Sequence, residues 1–204
     1  MLTKLKKRVQ DMLLAEAKVA HMVGLTPNSV SVLGFALSLL SALVYGLVSR
    51  EPLMLLFAVI LFLLSGFCDT LDGILARHYE QASVFGGFLD SLLDRYADAA
   101  VYAGVIIGGF CEPVWGLAAL IGSMLVSYSR ARAEAAGIKM ESVGFAERAE
   151  RMLILAGATL IAIYWFPALN IGIIVLAVLS NLTVLQRAWH VYGVLKKKRE
   201  GPES

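Results

Sequence analysis

The chain has 204 residues, 58% of them hydrophobic and only 17% charged, with a net charge of +2 and a mean hydropathy of +0.73. A water-soluble domain of this length is far less apolar, so the composition excludes a soluble enzyme and gives no footing for a nucleic-acid partner. Cys68 and Cys111 do not make a disulfide framework: a whole apolar segment separates them, which places them roughly 30 Å apart if that segment spans the bilayer.

Residues 3–20 are expected to form an amphipathic helix on the membrane surface. Leu2, Leu5, Val9, Leu13 and Ala17 fall on one stripe, with Lys4, Lys7, Arg8 and Asp11 elsewhere. No small-residue cleavage site follows the charged start M-L-T-K-L-K-K-R, so a cleavable signal peptide is not expected.

Six apolar segments follow, at about 28–49, 52–76, 87–110, 113–131, 149–166 and 168–192. Each approaches the ~20 residues that cross hydrocarbon as a helix. Long apolar runs without alternation select helices over a barrel, because lipid offers the backbone no other partner. The expected fold is therefore an all-α integral membrane protein, one domain over residues 1–204 with six transmembrane helices and the N-terminal interfacial helix. With the N-terminus inside, only Arg50 of the 18 Lys and Arg residues falls outside. This asymmetry supports six spans and puts both termini on the cytoplasmic side, in the plasma membrane. The outer connections, Arg50-Glu51-Pro52, Cys111-Glu112-Pro113 and Pro167, are minimal, so function is expected on the inner face.

The inner ends of the second and third segments carry the chemistry. Asp69 and Asp72 lie three apart on one; Asp90 and Asp94 lie four apart on the next. Both spacings put the pair on one helix face, and a short loop brings the two faces together. Carboxylates at membrane depth are costly and functional by default. Arg77 and Arg95 are too few to neutralise them as structural ion pairs. A divalent cation, Mg²⁺ or Mn²⁺, suits this hard oxygen set, and two metals bridged by carboxylates suit phosphoryl transfer. Gly73, Ala76, Gly86 and Gly87 leave room for a phosphate or a close helix, and Arg77 is placed to meet a phosphate oxygen. Asp98 continues the ladder one turn on, as a possible partner for a basic group. A divalent-cation transporter is the rival reading of the same acids. Against it, the acids all sit at inner helix ends and the outer half is expected to hold no polar relay.

The string D69-x-x-D72-G73-x-x-A76-R77, followed after eight residues by G86-x-x-x-D90-x-x-x-D94, resembles the signature of the CDP-alcohol phosphotransferases at all eight fixed positions. The resemblance implies that a CDP-activated alcohol donates its phosphoryl-alcohol group to a hydroxyl and releases CMP. It implies that Asp69, Asp72 and Asp90 hold two divalent metals, with Asp94 beside them as ligand and general base. Gly73, Ala76, Arg77 and Gly86 would frame the CDP together with Asp69 and Asp72, and L25-T26-P27-N28 adds Asn28 at its border. The family also implies a homodimer.

The fourth inner connection, S127-Y-S-R130-A-R132-A-E134 through G144-F-A-E147-R148-A-E150-R151, is strongly basic. Arg130, Arg148, Arg151 and Arg187 could share a cavity beside the aspartates, where they would need an anionic partner such as a phosphorylated acceptor. The bland alternative is positive-inside topology, with Glu134, Glu147 and Glu150 as ion-pair partners. The strings resemble the inositol-phosphate branch of the family, which implies inositol 1-phosphate as acceptor and a CDP-lipid, CDP-diacylglycerol or CDP-archaeol, as donor. Glycerol 3-phosphate is the rival acceptor. Between Arg148 and Arg151 the resemblance leaves both open.

Overall fold

The computed structural model describes residues 14–47, 51–140 and 143–200. All regular structure among them is helical: α1 over residues 14–22, α2 Pro27–Leu47, α3 Pro52–His78, α4 Val84–Ile107, α5 Pro113–Ala135, α6 Arg148–Ala162 and α7 Pro167–Glu200. α2 packs on α3 and α4, α4 on α5, and α7 on α5 and α6, while α6 closes against α3. Leu33, Leu43, Phe57, Ile121 and Leu160 stand exposed on the outside of the bundle, where a soluble protein would carry polar groups. This is a multi-pass membrane protein.

Four helices, α2, α3, α5 and α7, are long and apolar enough to cross a membrane. The other two expected spans depart from that standard for different reasons. α4 carries Asp90, Asp94, Arg95 and Asp98, so its composition is set by the site rather than by lipid. α6 has 15 residues, or roughly 22 Å at 1.5 Å per residue, short of the ~30 Å hydrocarbon core. It stops at Ala162 instead of the expected 166 because Tyr164 and Trp165 both donate to Ile161 O in a turn, ahead of Pro167, which opens α7.

Local signals set the other ends. Thr26 and Ser29 cap α2 reciprocally, each backbone N–H donating to the other's hydroxyl at 2.9 and 3.2 Å. Ser83 Oγ accepts from Gly86 N at 2.9 Å, so α4 starts three residues before the expected 87. α5 and α7 run past 131 and 192 into charged turns, since a helix does not end where lipid ends.

α1 lies against the N-terminal end of α2 and the C-terminal part of α3. Ala17 and Ala20 are buried among Val30, Cys68, Leu71 and Leu75, and His21 stacks on Tyr79 at 3.8 Å. Of the expected apolar stripe only Ala17 can be placed; Leu2, Leu5, Val9 and Leu13 lie outside the described residues. α2 and α4 touch backbone to backbone: a Cβ on Gly104 would run into the Ala42 carbonyl, and one on Gly108 into that of Tyr45. Cys68 and Cys111 are free.

Buried hydroxyls join the helices inside the bundle. Ser38 and Ser65 bond at 2.6 Å, Ser41 donates to Ala58 O at 2.8 Å, and Tyr45 and Thr159 bond at 2.8 Å. These buried hydroxyls satisfy one another or a carbonyl, the usual glue between membrane helices.

Candidate functional site

The C-terminal half of α3 and the N-terminal half of α4 bring their acids together. One carboxylate oxygen each from Asp69, Asp72 and Asp90 lies within 4.8 Å of the other two. Asp72 is 5% exposed and accepts a hydrogen bond from Ser31 Oγ of α2. Ser31 is a site residue that motif spacing missed. Its signal was legible, however, since Ser31, Gly34, Ser38 and Ser41 form a small polar stripe at helical spacing on α2.

Asp94 stands outside this trio and is held by guanidiniums. Arg148 Nη1 lies 2.8 Å from Asp94 Oδ1 and 2.8 Å from Asp69 Oδ2, and Arg95 Nη2 lies 3.3 Å from Asp94 Oδ2. The Arg148 Nη1 contacts are contacts of charge without hydrogen-bond alignment. Two of the acids thus face a cation the sequence had assigned to an acceptor.

Two cavities flank the cluster. One, of about 210 Å³, is lined by Asn28, Ser31, Asp72, Gly73, Ala76, Arg77, Gly86 and Asp90. It gathers the residues expected around CDP, except Asp69. A Cβ on Gly86 would sit 2.9 Å from Ser83 Oγ and 3.0 Å from Asn28 Oδ1, so any larger residue there fills the cavity wall. Arg77 folds back along its own helix toward Gly73, 3.2 Å from where a Cβ would be.

The other cavity, of about 520 Å³, is lined by Asp69, Asp94, Arg130, Arg148, Arg151 and Arg187, among others. All four arginines expected at an acceptor phosphate come to one space, from three helices. Their states differ. Arg130 is exposed and pairs with Glu134 at 2.9 Å, as the bland reading anticipated for that residue. Arg187 is 2% exposed, donating from Nε to Val143 O at 2.8 Å and from Nη1 to Val126 O. Arg151 is 3% exposed, donating from Nη1 to Ala146 O at 3.1 Å and pairing with Asp98 through Nη2 at 3.2 Å. Arg187 and Arg151 therefore both brace the 143–147 connection, where Gly144 takes a φ of 142° that a side chain would strain. Arg148 is the one that reaches the aspartates.

Acids converging at one end of a membrane helix bundle, with a polar cavity reaching Asp72 and Asp90 and a separate basic one reaching Asp69 and Asp94, define a membrane-embedded phosphotransfer site. The chain belongs to the CDP-alcohol phosphatidyltransferase family, whose sequence profile matches residues 24–186. It is 39% identical over 201 residues to the archaetidylinositol phosphate synthase of Pyrococcus horikoshii, covering 98% of this chain and 100% of that protein. It is 35% identical over 191 residues to the phosphatidylinositol phosphate synthase of Mycobacterium tuberculosis, 83% of this chain and 81% of that one. The crystal structure of the M. tuberculosis synthase with CDP-DAG bound superposes with a TM-score of 0.78 at 31% identity, covering 89% of this chain and 94% of that one. The same synthase in complex with manganese and citrate gives 0.76 at 32% identity, covering 88% of each chain.

Proposed function

We propose that this protein is a CDP-alcohol phosphatidyltransferase of phospholipid synthesis. It transfers the phosphatidyl-type group of a CDP-lipid to inositol 1-phosphate and releases CMP. The observation that carries the acceptor is the gathering of Arg130, Arg148, Arg151 and Arg187 around one cavity that also touches Asp69 and Asp94. Four guanidiniums beside reacting acids fit a phosphorylated alcohol better than serine or free inositol. Family membership sets the cation-carrier reading aside, because a carrier releases no CMP.

The carboxylate oxygens of Asp69, Asp72 and Asp90 within 4.8 Å fit hard divalent ions, Mg²⁺ or Mn²⁺, with Asp94 at the rim of the set. When bound, such ions neutralise the pyrophosphate and stabilise the leaving CMP. The chain's own residues do the rest. Asn28, Gly73, Ala76, Arg77 and Gly86 frame the cytidine diphosphate in the smaller cavity. Ser31 fixes the Asp72 carboxylate. Asp94, lining the basic cavity, takes the proton from the acceptor hydroxyl as that oxygen attacks phosphorus. Arg148 and Arg187 orient the acceptor's phosphate, with Arg130 at the open side. The two arginines the resemblance left open both line the basic cavity, and Arg148 is the one that lies against Asp94.

We further infer that α4 and α6 cross the bilayer with the other four, giving six spans in one domain over residues 1–204. α1 then lies on the inner surface. The positive-inside asymmetry supports cytoplasmic termini and active site, in the plasma membrane. The family resemblance supports assembly as a homodimer.

The test is CMP release by purified protein in detergent with Mg²⁺ or Mn²⁺ and CDP-diacylglycerol or CDP-archaeol, with inositol 1-phosphate, glycerol 3-phosphate, inositol and serine compared as acceptors. Release that depends on inositol 1-phosphate is expected. Release with glycerol 3-phosphate alone would keep the aspartate chemistry and overturn the acceptor.

A further inference from the structure

Asp98 lies outside the eight-position signature, one turn beyond Asp94, and 7% exposed. Its two oxygens are divided between two arginines. Oδ1 accepts from Arg148 Nε at 3.4 Å; Oδ2 accepts from Arg151 Nη2 at 3.2 Å and from Ser123 Oγ at 3.0 Å. Arg148 and Arg151 are three apart in the first turn of α6, so they project from the same face. One carboxylate of α4 therefore clamps two guanidiniums of α6, while Ser123 of α5 fixes the carboxylate.

The clamp leaves donors over. Arg151 Nε is buried without an aligned hydrogen-bond partner among the described residues, Arg148 Nη1 meets Asp69 and Asp94 at 2.8 Å only as a charge contact without hydrogen-bond alignment, and both arginines line the basic cavity. A buried N–H without an acceptor is costly in a resting protein, and cations so placed are held for an anion that completes the set. The α6 N-terminus adds its own positive end at the same point.

We propose that Asp98 is the positioning residue of the acceptor site: it holds Arg148 and Arg151 as a fixed pair whose spare donors receive the acceptor's phosphate. The proposal rests on the acceptor reading above and adds a specificity device to it. Held by Asp98 at Nε, Arg148 can exchange its Nη1 contact with Asp69 and Asp94 for a phosphate oxygen without leaving the cavity. Freed from Asp98, it would settle on Asp94 and Asp69 alone and face the acceptor poorly. A single phosphate matches the pair, whereas an uncharged alcohol leaves Arg151 Nε unmet and Arg148 on Asp69 and Asp94.

The experiment compares wild type with Asp98→Asn and Ser123→Ala. KM for inositol 1-phosphate and for the CDP-lipid are measured separately, and the protection by inorganic phosphate against thermal unfolding is measured without donor. Asp98→Asn is expected to raise the acceptor KM about 10- to 100-fold, the loss expected for a charge-assisted bond, with the donor KM within about twofold. Phosphate protection should weaken in parallel. Ser123→Ala, a milder change, should raise the acceptor KM about threefold, and Asp98→Glu should restore part of the loss. If Asp98→Asn cannot be purified folded, the Ser123→Ala result decides. An unchanged acceptor KM, or donor and acceptor KM rising together with phosphate protection intact, overturns the positioning role. Failure of the acceptor reading itself is separate: wild type would then release no CMP in response to inositol 1-phosphate.

Discussion

The trio of aspartates should destabilise the protein when no cation is bound, and neutralising one should stabilise it. Oxygens of Asp69, Asp72 and Asp90 lie within 4.8 Å of one another. At an effective dielectric of about 20, two unit charges at that distance repel by about 3 kcal/mol. Asp72 belongs to two such pairs and is also the most buried of the three, at 5% exposure. Protonation, the nearby Arg148 and solvent at the more open Asp69 remove most of this, leaving a gain of about 1–2 kcal/mol for Asp72→Asn. Asparagine has the same shape and still accepts the Ser31 hydroxyl through its carbonyl. For a domain of this size that gain is roughly 3–6 °C in the unfolding midpoint. The assay is tryptophan fluorescence on heating in detergent with EDTA, reading Trp115, Trp165 and Trp189. The variant should melt above wild type in EDTA, and addition of Mn²⁺ should reverse the order, since only wild type gains fully from binding. An Asp72→Asn midpoint below wild type in EDTA would refute the reasoning, because the acids would then not repel in the metal-free protein.

Three further outcomes are expected. Asp94→Asn should cut turnover about 10²- to 10⁴-fold while CDP-lipid binding, followed by protection against heat, is retained; equal loss of donor binding would remove Asp94 from the base role. Arg187→Ala should raise the acceptor KM well above any change in donor KM. It should also lower the midpoint, because Val143 O and Val126 O lose a buried partner, at about 1–3 kcal/mol per unsatisfied group. Gly104→Val should reduce the yield of folded protein, since its side chain would drive α4 off the Ala42 carbonyl of α2. A Gly104→Val protein with wild-type yield and melting would mean the helices are not in contact there.

Legibility in the sequence followed the physics of each feature. Hydropathy located α2, α3, α5 and α7 because lipid constrains composition along the whole span. It misjudged the ends of α4 and α6 because a helix is bounded by hydrogen bonds, caps and turns: Ser83 started α4 early, and the turn at Ile161–Trp165 ended α6 early. Asp69, Asp72 and Asp90 were legible because i, i+3 and i, i+4 spacing fixes which residues share a face without reference to any other helix. Arg148 was legible as a basic candidate but not as the partner of Asp69, Asp94 and Asp98, because that depends on how α6 is turned against α3 and α4.

The sequence by itself therefore determined the membrane setting, the acidic face and the stock of arginines from which an anion site could be drawn. These depend on the solvent each segment must meet and on periodicity within one helix. Only the tertiary structure decided that Asn28, Gly73, Ala76, Arg77 and Gly86 line one cavity and the arginines Arg130, Arg148, Arg151 and Arg187 another. It alone showed Arg151 and Arg187 bracing a connection while lining the basic cavity, and Asp98 shared between two guanidiniums. Those relations join side chains some 50 residues apart, such as Asp98 and Arg148, and their distances are set by helix rotation and packing, which no local pattern encodes.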